Sequence, residues 1–202
     1  MESQRGFRSI RQREDDAGQG RRGLGSRGSA ALEFALVIPM VVMLVLGVVD
    51  FGNVYNQWAG LRSGVAAGAR FGSVANFGAT SACPLTFVGG TAPSADLQNL
   101  MCLVKSSIGL PQSGVRIDVL ISDPTLSTTG TAWLVGGGLT LCAEYPVLSV
   151  TGAFGSAFGG HYLRSKTTIR IEQAASQVET QGAETDPSGS GWAWCTPYNS
   201  GP

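Results

Sequence analysis

Residues 30–49 read AALEFALVIPMVVMLVLGVV, an apolar run interrupted by one charge, Glu33. About 20 apolar residues are what an α-helix needs to cross the hydrocarbon core of a bilayer. Such a run constrains the chain more than anything else in it. It divides the sequence into a part before the membrane and a part beyond it. A cleaved secretory signal is the competing reading, but it requires a small-residue cleavage site directly after the apolar core. Asp50-Phe51-Gly52-Asn53 stands there instead, and the nearest AxA-like triplet, Ala67-Gly68-Ala69, lies well downstream. A retained span is expected. Pro39 lies inside it, which a membrane helix tolerates better than a soluble one.

Charge gives the span a direction. Of the 14 basic residues, Arg5, Arg8, Arg11, Arg13, Arg21, Arg22 and Arg27 all precede Ser29. The remainder is acidic on balance. Arginine before the run and Asp50 after it place the N-terminus in the cytoplasm and the main domain outside. Residues 1–28 are expected to be a disordered basic leader. Arg21-Arg22 matches a twin-arginine signal only weakly, since no apolar core comes directly after it. Nucleic-acid binding is the rival reading of the arginines, and the chain has no basic domain to support it.

Beyond the span, residues 50–72 carry no clear helix breaker. Gly60, Gly64, Gly68 and Gly72 recur at intervals of four, as do Leu61, Val65 and Ala69. Residues four apart share a helix face. Each helical glycine costs about 1 kcal/mol relative to alanine, so a stripe of them implies a partner backbone at close range. Leucine at position 64 is expected to disrupt that contact and alanine to be milder. A weak or broken helix is the alternative. Tyr55 and Trp58 are candidate markers of the outer membrane interface.

Residues 73–92 read as a loop. Ser94 is a candidate cap for a helix over 94–108, with Leu97, Leu100, Met101, Val104 and Ile108 as its apolar stripe and Gly109 and Pro111 ending it. The apolar period then changes to two over 115–121, 139–145 and 167–173, predicting three half-buried antiparallel strands. The fold class is therefore α+β. A long N-terminal helix over 29–72, the span continuing outward, joins a small antiparallel sheet domain over 73–202 that ends in a Gly/Ser-rich tail.

Cys83, Cys102, Cys142 and Cys195 all come after the span and lack zinc spacing. Disulfides are expected, against the alternative of four buried thiols. Four cysteines allow three pairings. Cys83 and Cys102 flank one loop and the helix face. A tail laid over the sheet brings Cys195 to Cys142, so 83–102 and 142–195 are preferred. Trp192 and Trp194 either pin that tail or form a binding surface.

Catalytic signatures are absent. His161 stands alone in a Gly-rich loop, where a surface residue is the expected reading. Gly136-Gly137-Gly138 reads as a turn rather than a phosphate loop. Asp118 and Asp123 fall on a strand face and in a turn before Pro124. No nucleophile elbow, Walker loop or HExxH occurs. Neither an enzyme, a cofactor, a metal site nor a small-molecule substrate is expected.

The segment Gly28 to Gly72 resembles the N-terminal region of TadE-like proteins. The shared elements are Gly28, Glu33-Phe34-Ala35, the early Pro39, and Gly47-Val48-Val49-Asp50-Phe51-Gly52, with Ala67-Gly68-Ala69-Arg70 as a small-residue-plus-Arg ending. The resemblance implies a minor pseudopilin or assembly protein of a tight-adherence pilus, pilin-like in fold. It also implies a prepilin peptidase cutting between Gly28 and Ser29, with a Flp-type pilin, a membrane platform and a secretion ATPase as partners. Related TadG-like proteins share the anchor and stay uncleaved. The alternative is thus a single-span envelope protein with an extracytoplasmic binding domain. Cleavage would free an amine on Ser29, four residues before Glu33 and on its helix face. That amine would neutralise a carboxylate otherwise costly in lipid. A Glu33 near enough to the interface to reach water needs no such partner.

Overall fold

The computed structural model describes residues 22–78, 82–87, 90, 92–122, 133–175 and 181–197. Most of the basic leader, residues 1–21, and Asp123 lie outside the described residues. The chain divides into two compact units between Val48 and Val49.

Helix α1, Arg22–Ser73, runs through that division. It starts within the expected leader, so Gly28 lies inside helical backbone and not at a helix edge. In the first unit the helix is apolar on every side. Leu32, Phe34, Leu36, Met40 and Leu44 are all more than 60% exposed. A helix apolar all round needs lipid or protein around it. Among the described residues, this is the one helix long and apolar enough to cross a membrane.

The second unit is α+β. Helix α2, Ala95–Ile108, has Ser94 as its N-cap, whose side chain accepts a hydrogen bond from Leu97 N. Gly109 closes it in the left-handed region at φ 71°. The expected stripe of Leu97, Leu100, Met101, Val104 and Ile108 is buried. Strands β1 (Arg116–Ser122), β2 (Gly138–Pro146), β3 (Tyr162–Arg170) and β4 (Gly182–Ala183) form one sheet in the order β3-β2-β1-β4. Each neighbouring pair is antiparallel. A four-residue helix α3, Gly155–Phe158, interrupts the β2–β3 connection, and a 3-10 turn spans Trp192–Trp194.

The core lies between the inner sheet face and the two helices. Ile117, Val119 and Ile121 of β1 and Leu139, Leu141, Ala143 and Tyr145 of β2 point into it. Leu61, Val65 and Ala69 meet them from α1.

Two strand expectations need correction. The third strand occupies Tyr162–Arg170 and not the expected 167–173. After Ile171 the chain leaves the ladder, because Glu172 N and Gln173 N both donate to Ser73 O at the end of α1. The first half of the strand, Tyr162 to Lys166, puts Leu163 and Ser165 inward, an alternation too polar to stand out. The second strand is not half-buried. Seven consecutive residues, Leu139 to Tyr145, are buried, since its outer face is covered too.

At the end of α1, Asn76 N donates to Phe71 O and Ala75 N to Gly72 O. Ala75 takes φ 51°, the left-handed conformation that glycine adopts without a Cβ penalty. Ala75→Gly should therefore stabilise the fold by up to about 1 kcal/mol, read as a rise in the midpoint of denaturant unfolding in detergent.

Candidate functional site

The residues singled out in the sequence fall into separate places on the molecule. Gly28, Ser29 and Glu33 lie together on exposed helix in the first unit. Ser29 Oγ donates to Glu33 Oε1 at 3.3 Å, so the two do share a face. A side chain at Gly28 would meet open space.

Gly60, Gly64, Gly68 and Gly72 form a packing face in the second unit. The neighbour of the first three is α2 of the same chain, and Gly72 faces Leu139 of β2. A Cβ on Gly60 would stand 2.9 Å from Ile108 O, and one on Gly64 would stand 2.6 Å from Ile108 Cα and 2.7 Å from its N. A Cβ on Gly68 would run into Val104, and one on Gly72 into Leu139 Cδ2 at 2.5 Å. Real side chains do not approach so closely. The stripe is what allows α1 and α2 to cross with their backbones in contact. At Gly64 the obstacle is backbone, which has no rotamer to change. Alanine at 64 would still press one methyl on that backbone, and leucine would press more.

Both disulfides are formed. Cys83 joins Cys102 with Cα atoms 5.5 Å apart, and Cys142 joins Cys195 at 5.9 Å. The loops they close, 19 and 53 residues in sequence separation, correspond to about 3–4 kcal/mol each in the chain-entropy account. Cys142 lies on the outer face of β2, so the second bridge straps the tail over that face.

Beneath the tail lies polar chemistry that sequence reasoning missed. Glu144 and Asp186 are held together, with Arg164 Nε 3.5 Å from Glu144 Oε2. Glu144 and Arg164 are cross-strand partners, so the register sets this pair. Burial pushes the Glu144 carboxyl up to about 8, and Asp186 beside it adds to the rise against the opposing Arg164. Burial would raise Asp186 as well, but hydrogen bonds from Glu144 and Ser188 outweigh it and hold the group at about 2. Burial and the neighbouring Asp186 thus favour the protonated form of Glu144. Arg164 also lies 5.2 Å over the Trp194 ring and donates to Ser190 Oγ, while Trp192 Nε1 donates to Glu184 O. The two tryptophans pin the tail. Asp118, beside Cys142 in the ladder, is pushed up to about 7 by burial, against a hydrogen bond from Val119 N.

The second missed group is a buried ion pair. Lys105 Nζ lies 2.8 Å from Glu184 Oε1, and both side chains are wholly buried. Lys105 also donates to Pro84 O at 2.6 Å. Glu184 accepts from Thr86 N and Ile117 N. Burial lowers the lysine and raises the glutamate, and their mutual contact opposes both shifts. A signal was available. Position 105 is four beyond Met101 and three before Ile108, on the buried stripe itself.

Third, Asp50 is wholly buried and accepts four hydrogen bonds: from Ser149 Oγ at 2.7 Å, Val150 N at 3.0 Å, Thr151 N at 2.9 Å and Thr151 Oγ1 at 2.7 Å. Asn53 Nδ2 adds a bond to Leu148 O at 3.4 Å. The side chain clasps the β2–β3 connection to α1. By sequence alone Asp50 serves only as a topological marker.

Residues 28–70 match the family model described as TadE-like protein. The N-terminal segment is similar to that of TadE-like proteins. The match ends two residues before Gly72 and includes Gly28, Glu33, Asp50 and three of the four stripe glycines. No curated protein and no solved structure matches the chain. Among the described residues no group of three or more His, Cys, Asp or Glu is placed to hold a metal ion. His161 stands exposed beside α3, donating its backbone N–H to Phe158 O.

This geometry carries two testable outcomes. Gly64→Ala should destabilise the fold despite its gain of about 1 kcal/mol in helix propensity, and Gly64→Leu should leave little folded protein. Thermal unfolding of the purified full chain in detergent checks both. The outer-face carboxyls set a pH dependence. Glu144 and Asp118 bind protons more tightly folded than unfolded, so their contribution is complete below pH ~4 and fades as pH rises through about 7 to 8. Asp186 acts oppositely, its contribution fading as pH falls from the ordinary carboxylate range towards about 2. The wild type should lose thermal stability as pH rises from about 4 to about 8, and Asp118→Asn/Glu144→Gln should flatten that loss.

Proposed function

We propose that this membrane-associated TadE-like protein is a minor pseudopilin of a tight-adherence, Flp-type pilus. In this reading a prepilin peptidase removes residues 1–28 on the cytoplasmic side, and the unit over 49–202 lies outside the membrane. Its partners are then a Flp-type pilin and the platform and ATPase of the same secretion system. The observation that carries the reading is the Ser29–Glu33 contact within the TadE-like segment. An amine freed at Ser29 starts one helical turn from the carboxylate, on its face. It needs no rearrangement to neutralise Glu33 within its own chain, and an adjacent subunit's amine has the same exposed target.

A second reading has its own observation. Helix α1 is unbroken from Arg22 through Ser29. A protease cleft binds extended chain, so the leader must unwind there before cleavage. An anchor that stays uncleaved, holding a partner-binding domain at the membrane surface, requires no such step.

Mass spectrometry of the membrane fraction, from cells with an active prepilin peptidase, separates the two. The pseudopilin reading expects Ser29 as the mature N-terminus. Gly28→Leu should abolish cleavage and leave insertion intact, since a side chain at 28 meets nothing within 4 Å. Glu33→Ala should insert at least as well, because it removes a charge costing about 2.5–3.5 kcal/mol in lipid, yet fail to co-purify with pilin. An intact leader in the wild type assigns the protein to the uncleaved anchor.

A further inference from the structure

The β2–β3 connection stands out on the second unit. Residues 147–160 read VLSVTGAFGSAFGG, with no charged side chain. Leu148 and Val150 are 51% and 66% exposed. An uncharged loop showing aliphatic side chains needs a reason to be dry.

Its place is fixed by hydrogen bonds. Strand β2 starts beside Gly72, where Leu139 lies, and ends in the segment clasped by Asp50. The distances agree. The 22 steps of helix from 50 to 72 rise about 33 Å at 1.5 Å each, and the 11 steps from 139 to 150, the rest of β2 and the start of the connection, span at most about 36 Å at 3.3 Å each. The hairpin thus runs back along α1 to its first turn in this unit. That turn begins at Asp50, the residue directly after the apolar run 30–49.

The chemistry of Asp50 agrees with this position. A carboxylate at the edge of a bilayer is costly unless its oxygens are hydrogen-bonded. Here four donors surround it, two backbone amides and two hydroxyls, all from the loop itself. Tyr55 and Trp58 come next on the same helix, 59% and 37% exposed, with Arg62 over the Trp58 ring at 5.6 Å. Amphipathic aromatic rings with a nearby arginine are what the headgroup layer favours. They lie further along the helix from the apolar run than the clasp does.

We propose that residues 147–160 rest in the headgroup layer of the membrane that residues 30–49 cross, on the side of residues 50–202, with Leu148 and Val150 as the inserted side chains. The loop is then a second, shallow point of membrane contact, and Asp50 holds its position on the helix. This inference rests on the membrane-span reading, not on the pilus assignment.

The test uses the full chain in vesicles of phosphatidylethanolamine and phosphatidylglycerol, doped with one lipid carrying a photoactivatable diazirine near its headgroup, which reads 147–160, and in a parallel sample with one carrying it along the acyl chain, which reads 30–49. Chymotryptic digestion and tandem mass spectrometry then locate the labelled residues. Leu134 and Val135 are the internal control, being 47% and 58% exposed before the opposite end of β2. Labelling within 147–160 should stand well above that control, because a surface seated among headgroups meets the diazirine lipid directly. Leu148→Ser/Val150→Ser should lower it to the control level while labelling of 30–49 persists. These side chains are exposed, so the variant keeps its fold. Loop labelling equal to the control, with 30–49 labelled, overturns the inference and leaves the span standing. Crosslinks joining residues 148–150 of two copies overturn it in favour of a subunit contact. Absence of label from 30–49 removes the span reading and the inference together.

Discussion

The contact between the backbones of α1 and α2 at Gly64 and Ile108 positions much else in the second unit. With no side chain on α1 to hold it away, α2 lies close enough for its stripe to enter the core with Leu61 and Val65. That closeness carries Lys105 inward as well. A buried ammonium is tolerable only if paired and hydrogen-bonded, and Glu184 and Pro84 O supply both. Glu184 in turn accepts from Thr86 N and Ile117 N. One cation thus fastens the loop before α2, the strand β1 and the chain after β4. Removing either charge alone would strand the other in a dry site, whereas a well-packed apolar pair would not. The pair specifies where the tail begins more than it adds to stability.

From there the tail crosses the outer sheet face, and this explains a strand buried on both sides. The Cys142–Cys195 bridge, the Arg164–Trp194 contact and the Glu144–Asp186 pair all lie between the tail and the sheet. Covering this face also limits exposed strand edges. The edge strand β4 is two residues long, and the opposite edge, β3, carries Arg164, Lys166 and Arg170. Short edges and charged edges both discourage pairing with another sheet.

These covered polar groups show where the sequence was readable and where it was not. Period and cap sufficed for α2, since Ser94, the apolar stripe and Gly109 all act within one helix. Alternation sufficed for β1 and β2 because their inner faces are aliphatic. It misplaced β3, whose inward positions include Ser165 and Thr167, and whose end is set by Ser73 O, a remote acceptor. It could not reveal β4, two residues paired only through β1. Glu144 looked solvent-facing because alternation assigns a face but not what covers that face. The glycine stripe was legible as a close contact. That its partner is α2, and that the obstacle at 64 is backbone, depended on tertiary structure.

Asp50 is the residue where local reading and tertiary structure differ most. By sequence it is the polar end of an apolar run, and a hydrated carboxylate there would serve equally well. In the fold it has no contact with solvent, and its partners are about a hundred residues away. A carboxylate with four donors around it is pre-organised by the loop, and the loop by the carboxylate. Each loses its conformation if the other is removed. That mutual dependence gives a physical reason for an acidic residue at this point of the TadE-like segment. A simple membrane stop needs only polarity, and asparagine would provide it. A carboxylate takes the two amides on one oxygen and the two hydroxyl hydrogens on the other, whereas asparagine would keep the amides but turn both hydroxyls into acceptors and leave their own hydrogens to find other partners.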